Sequence, residues 1–129
     1  MKRLPVLGDL EAEVMKIAWS TSPVSVKDVM CRLSRERAYN TVQTTLDRLY
    51  GKLLLVREKQ SHAFIYTPRL TRAEYHRMLL VSVVGELLPR DHEPVLAALV
   101  EMAGDADLKN LERLEHLIQA RRQAERTRR

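Results

Sequence analysis

Apolar positions recur at helical spacing along most of this chain. Leu10, Val14, Ile17 and Ala18 stand at i, i+4, i+7 and i+8, one stripe of a helix expected over 9–20. Gly8-Asp9 supplies the break and the N-cap before it. Thr21-Ser22-Pro23 reads as a turn. A second helix opens at Ser25, with Asp28 three residues on as a variant capping box, and buries Val29, Met30 and Leu33. A third is expected from Asn40 or Thr41 to about Tyr50. On its wheel Val42, Leu46 and Leu49 fall together. Asn40, Thr41, Thr44, Asp47 and Arg48 gather on the opposite side, with Gln43 and Thr45 at the flanks.

The period then changes. Residues 54–59 and 63–67 are β-prone and flank a short polar turn at Gln60-Ser61-His62, which predicts a hairpin closed by Pro68. Thr71 and Glu74 form a T-x-x-E capping box for a helix running to about Leu88, with Pro89 ending it. Its apolar residues, Tyr75, Met78, Leu79, Val83 and Leu87 among them, exceed one stripe and so require cover on several faces. A short helix over about 94–103 is expected to stop at Gly104. A last helix starts at Asp105 or Asp107 and carries a seam of Leu108, Leu111, Leu114, Leu117 and Ile118. Its end, ARRQAERTRR, is expected to fray into solvent.

Three short helices followed by a hairpin is the winged helix-turn-helix plan. The expected fold is therefore mainly α with a small β-hairpin. A winged-helix domain occupies 1–70, and a helical dimerisation domain with a basic C-terminal tail occupies 71–129. Residues 71–129 have too little mass to cover their apolar surface alone. A second copy of the chain is the natural partner, with Tyr75, Met78, Leu79, Val83, Leu87, Leu111, Leu114 and Ile118 expected at the homodimer contact.

Composition narrows the class. The chain has 129 residues, 45% of them hydrophobic, enough for one compact domain or a small domain with an extension. Its longest apolar run, 78–84, is broken by Ser82 and ends at Gly85, far short of the roughly 18–20 residues that cross a bilayer. The start MKRLPVLGDL lacks an apolar core of signal-peptide length, so a cytoplasmic protein without membrane contact is expected. The single cysteine, Cys31, rules out an internal disulfide and is expected to be a small buried hydrophobe. Charge is uneven. Residues 1–70 hold twelve basic and seven acidic side chains, a net +5. Residues 71–118 carry a net −4, and 119–129 a net +4. The basic N-terminal half and tail point to a polyanionic partner.

Catalytic chemistry finds little support. The four histidines, His62, His76, His92 and His116, have no metal-ligand spacing with one another or with Cys31. There is no Gly-rich phosphate loop and no G-x-S-x-G elbow. Asp9, Glu11 and Glu13 crowd a helix start and read as a solvated acidic face. Asp91-His92-Glu93 reads as a helix cap. No enzyme, cofactor or metal is expected. A hydrolase would need nucleophile–base spacing that is missing. A winged helix used as a protein-interaction adaptor is the alternative, which salt-sensitive duplex binding would separate from a DNA-binding role.

The third helix carries the strongest functional signal. Asn and Thr are mediocre helix formers, yet they crowd its open face. Thr methyls meet the thymine methyl, Asn and Gln pair with adenine, and Arg bridges guanine N7 and O6. A double-stranded DNA partner explains that choice of residues. For Arg48 an ion pair in the neighbourhood of Asp47 is the structural alternative, and for Trp19 core filling is preferred.

The segments LGDLEAEVMKIAW, VSVKDVM, AYNTVQTTLDRL and IYTPRLTRAEY resemble the penicillinase-repressor family, the BlaI/MecI/CopY type, over residues 7 to about 79. The resemblance implies a bacterial, homodimeric winged-helix repressor of transcription with a C-terminal three-helix dimerisation domain. It implies palindromic operators, often with a TACA…TGTA core, ahead of resistance or copper-handling genes. Matched position by position, Thr41, Gln43, Thr44, Thr45 and Arg48 lie in the family's recognition helix, and Asn40 before them and Lys52 after them are expected to join the DNA contact. Arg57, Lys59 and His62 lie where its wing would approach DNA. Three departures stand out. The family's Lys-Gly after the recognition helix is Lys52-Leu53 here, with Gly51 two positions early. No cysteine-rich copper motif follows Cys31. The Asn-Phe bond cut in β-lactam regulation has no counterpart, since Ala63 precedes Phe64 and Leu111 follows Asn110. No sensor or protease partner is identifiable from the chain.

Overall fold

The computed structural model describes residues 7–128. The basic N-terminal start and Arg129, the last residue of the tail, lie outside them. The described elements are α1 (Asp9–Ser20), α2 (Val26–Arg32), α3 (Tyr39–Gly51), β1 (Leu55–Gln60), β2 (Ala63–Pro68), α4 (Arg72–Val84), α5 (His92–Ala106) and α6 (Lys109–Arg128). The chain separates into two compact units, Met1–Ser82 and Val83–Arg129. The division falls within α4, whereas the sequence pattern places it at Leu70.

In the N-terminal unit the apolar stripes meet as periodicity requires. Val14, Met15 and Ala18 of α1, Val29 of α2, and Val42, Leu46 and Leu49 of α3 are fully buried. Leu54, Leu55 and Tyr66 close the cluster from the hairpin. Burying one such side chain contributes about 1.5–3 kcal/mol. Ser25 and Asp28 make a reciprocal cap on α2, with Asp28 N–H donating to Ser25 Oγ at 3.1 Å and Ser25 N–H to Asp28 Oδ2 at 2.9 Å. The Thr71–Glu74 box on α4 closes in the same way, at 3.0 Å each way.

The strands pair antiparallel, with Arg57 opposite Tyr66 and Lys59 opposite Phe64. Ser61-His62 forms the two-residue turn, and Ser61 takes a positive φ of 56°. Val24 bridges Tyr66 through both backbone bonds, at 2.9 and 2.8 Å, which ties the α1–α2 connection to the wing.

The end of α3 departs from the usual composition. Leu54 N–H reaches Leu49 O at 3.0 Å and Leu53 N–H reaches Tyr50 O at 3.1 Å, the paired bonds of a Schellman cap. That cap needs a left-handed residue at its first outer position, normally glycine. Here Leu53 fills it with φ 65° and is exposed. The motif is kept without its glycine, which stands at Gly51 inside the helix.

Several expectations are corrected. Cys31 is exposed, not buried, because the short α2 turns only Val26 and Val29 fully inward. Tyr75 and Leu79, expected at the homodimer contact, are engaged by the N-terminal unit of their own chain. Tyr75 is buried in the N-terminal core and Leu79 packs against it. Trp19 packs against Tyr75 with ring centroids 5.7 Å apart and the planes tilted by 40°, and its Nε1–H donates to Leu70 O at 2.9 Å. α4 ends at Val84 instead of Leu88, where Gly85 opens a turn that Leu87 N–H and Leu88 N–H close onto Val84 O. Gly104 does not stop α5. A Cβ there would lie 3.3 Å from Leu111 Cδ2, so the glycine lets α6 approach. The tail is helical to Arg128, with Glu125 paired to Arg121 at 3.0 Å and to Arg128 at 3.7 Å. Such i,i+4 and i,i+3 pairs support an exposed helix.

Candidate nucleic-acid interface

α3 is held from three sides, and this decides which of its residues are available. Its apolar side sits in the core, α1 lies along one flank and the wing along the other. Asn40, Thr41, Thr44 and Arg48 are exposed and border an open groove with Gly8, Asp9, Leu10 and Glu11 at the start of α1. Among the described residues Arg48 has no ion pair, so the structural alternative raised for it is not realised. Gln43 is half-buried and belongs to the other flank. It lines a groove of about 310 Å³ with Ser25, the cap of α2, Lys27 of α2, Tyr39, and Lys59, His62 and Phe64 of the wing.

Three residues expected at this surface are engaged elsewhere. Thr45 is buried at 5% exposure, and its hydroxyl donates to Thr41 O at 2.8 Å. Its place one turn before Leu49 on the core side turns it inward. Lys52 Nζ lies 2.6 Å from Glu11 Oε2. Arg57 Nη1 donates to Asp47 Oδ1 at 3.1 Å, and its guanidinium lies over the Tyr50 and Phe64 rings at 4.1 and 4.2 Å. Lys59 and His62 remain exposed on the wing.

The acidic start of α1 is not merely solvated either. The hydrogen bond from Lys52 is the main cause that holds the Glu11 carboxyl below its ordinary pKa, against the opposing effect of its burial. Glu13 accepts from Ser34 N–H at 2.6 Å and from its hydroxyl at 3.1 Å, which lowers its pKa as well. Glu11 thus ties the end of α3 to α1, and Glu13 ties the loop after α2 to α1. On the wing side, Tyr66 O–H donates to Asp47 Oδ1 at 2.7 Å. Burial first, then this bond to a carboxylate, pushes the Tyr66 hydroxyl up to about 12.

Sequence reasoning missed Lys27, Ser25 and Tyr39 on the wing-side groove. A signal existed for Lys27, since the helix before a recognition helix crosses the nucleic-acid backbone. Another existed for Arg57. Strand alternation places it on the same face as buried Leu55 and opposite Tyr66, which is the inner face of the wing. The surface that results is a short polar helix face flanked by Lys27, Lys59 and His62. It can offer hydrogen bonds to base edges from the helix and cations to phosphates beside it. Among the described residues there is no cluster of metal-ligating side chains, and no helix is long and apolar enough to cross a membrane.

Comparison with known proteins points the same way. The family model described as penicillinase repressor matches residues 7–120. The chain is 36% identical over 77 residues to the penicillinase repressor of Bacillus licheniformis, covering 58% of this chain and 60% of that protein. It is 39% identical over 89 residues to the transcriptional regulator BlaI of Mycobacterium tuberculosis, covering 67% of this chain and 64% of that protein. These alignments span less than two thirds of either relative. Among solved structures, the DNA binding domain of the repressor BlaI superposes with a TM-score of 0.50 at 36% identity, covering 58% of this chain and 94% of that one.

Proposed function

The chain belongs to the penicillinase-repressor family, and from that premise we propose that it is a sequence-specific DNA-binding repressor of transcription. It acts as a homodimer on a palindromic operator, in the bacterial cytoplasm, and controls resistance or stress-response genes. It needs no cofactor and catalyses no reaction. The observation that carries the reading is the exposed face of α3. Asn40, Thr41, Thr44 and Arg48 stand free on a helix whose other sides are fixed by a buried core, by α1 and by the wing. Gln43, Lys27, Lys59 and His62 extend the contact along the wing-side groove, with the lysines and the histidine on phosphates. Thr45 is left out because its hydroxyl is occupied, and Lys52 and Arg57 because Glu11 and Asp47 hold them.

The dimer half of the proposal is supported by the unit Val83–Arg129. Val83 and Leu87 before α5, Leu96, Val100 and Met102 on α5, and Leu108, Leu117 and Ile118 on or beside α6 are large apolar side chains left open to solvent. A symmetric second copy covers such a surface. It also sets two recognition helices on half-sites about 34–36 Å apart. Selection of duplexes from a randomised pool by the full chain tests the proposal. The expected product is an inverted repeat whose half-sites lie about one helical turn apart, and Arg48→Ala should bind it with roughly 1–3 kcal/mol less free energy. Recovery of no preferred sequence would overturn the reading.

A further inference from the structure

Arg57 is the least expected residue of the wing. It is a cation on the β1 strand of a basic half of the chain, in the position from which a wing would meet phosphate. Its guanidinium instead lies over two aromatic rings, Tyr50 from α3 and Phe64 from β2, and pairs with Asp47 of α3. The side chain is 28% exposed. Tyr66, opposite Arg57 in the hairpin, donates its hydroxyl to the same carboxylate oxygen. Asp47 therefore receives two bonds from two strands, and Arg57 touches both the helix and the second strand. Arg suits this role better than Lys, because its planar fork stacks on rings and hydrogen-bonds in a fixed direction.

We propose that Arg57 is a positioning residue which, through Asp47, Tyr50, Phe64 and Tyr66, locks the wing to the recognition helix and so sets where Lys59 and His62 meet DNA. The proposal rests on the DNA-binding reading given above. It makes Arg57 matter for operator affinity without a phosphate contact of its own. It also gives Asp47 a role. A lone carboxylate on a recognition helix would repel phosphate, and here it is the anchor for the wing.

A phosphate contact and a lock respond differently to substitution. Losing a phosphate contact lowers the slope of log K against log salt by about 0.9 for each contact, and Lys restores it because the charge is what counts. Losing the lock weakens binding roughly ten-fold at nearly constant slope, and Lys does not restore it. Asp47 gives the sharper contrast. Asp47→Ala removes a negative charge from the side that meets DNA, so charge alone predicts tighter binding, whereas the lock predicts weaker binding.

The experiment uses the full chain and a fluorescein-labelled duplex selected from a randomised pool by the unsubstituted protein, with affinity read by anisotropy across a salt series. Arg57→Ala, Arg57→Lys and Asp47→Ala are expected to weaken binding with the salt slope kept. Wild-type-like affinity for Arg57→Lys with a reduced slope for Arg57→Ala, or tighter binding by Asp47→Ala, would overturn the lock. Amide hydrogen exchange across residues 55–68 of the free chain provides a DNA-independent measurement. Arg57→Lys should speed exchange in the wing, and unchanged exchange there refutes the lock. If the unsubstituted chain selects no sequence, the functional reading fails, while wing exchange still decides whether Arg57 holds the wing.

Discussion

The two halves of the molecule bury their apolar residues in opposite ways. All thirteen buried hydrophobic residues among those described lie in the N-terminal unit, whereas α5 and α6 bury none. The N-terminal unit satisfies itself, with helices capped, aromatics paired and the strands tied to the core. The C-terminal unit has long, regular helices that leave Leu96, Leu99, Leu108, Leu117 and Ile118 exposed and only half-bury Leu111 and Leu114. A helix can be well formed by local bonds and charge pairs and still depend for its stability on a surface outside its own chain. In the proposed repressor, the difference separates what reads DNA from what brings two readers together.

The largest expected effect comes from dividing the two units. A chain ending at Ser82 keeps Tyr75 and Leu79, which belong to the N-terminal core. It should be a cooperatively folded monomer in analytical ultracentrifugation. It should bind a palindromic duplex on the order of 10²–10⁴ more weakly than the full chain, because tethering of the second half-site is gone. Full affinity in that truncated form would show that the C-terminal unit does not link two readers.

Core substitutions sharpen the contrast. Leu46→Ala should cost about 2–5 kcal/mol, and the drop it causes in the thermal midpoint should be the same at every protein concentration. Ile118→Ala on α6 should instead change how steeply the midpoint depends on concentration, since its partner is a second molecule. Melting curves over a hundred-fold concentration range distinguish the two. A concentration-independent effect of Ile118→Ala would mean that the C-terminal surface is not an interface.

A smaller gain is expected within the N-terminal unit. Leu53 holds a left-handed conformation that glycine adopts without cost. Gly51, where an added Cβ would meet nothing within 4 Å, weakens the end of α3. Leu53→Gly and Gly51→Ala should each stabilise by about 0.5–1 kcal/mol, seen as a higher urea midpoint at constant slope. A loss of stability in Leu53→Gly would show that this exposed leucine is held by a contact.

The smallest effect is acid sensitivity. Glu11 and Asp28 have carboxyl pKa values lowered below 4.5 and 3.8, the first chiefly by the bond from Lys52 and the second by the bond from Ser25 N–H. A folded-state pKa below the unfolded one stabilises the fold above the unfolded value, and that stability is lost as pH falls through the folded one. The urea midpoint should therefore decline as pH drops below about 4.5. Glu11→Gln should flatten part of that decline, and an unaltered profile would mean the Lys52 pair adds nothing.

Much of this molecule was legible in its sequence because local rules and burial agree in its N-terminal unit. The stripes Leu10–Val14–Ala18 and Val42–Leu46–Leu49, the two capping boxes and the hairpin each carry their own period or turn chemistry, and short local bonds enforce them. The polar face of α3 was legible for the same reason, since residues opposite a buried stripe must be open. Which cations are free was not legible, because it depends on neighbours distant in sequence. Lys52 meets Glu11, and Arg57 meets Asp47, Tyr50 and Phe64, across turns of the fold that no spacing records. Tyr75 and Leu79 were misplaced on similar grounds. Helical period shows that they need cover, but only the packed fold shows that Trp19 and the N-terminal core provide it. Periodicity determines which side of an element is apolar, and tertiary packing alone decides what that side meets and which charges remain for a partner.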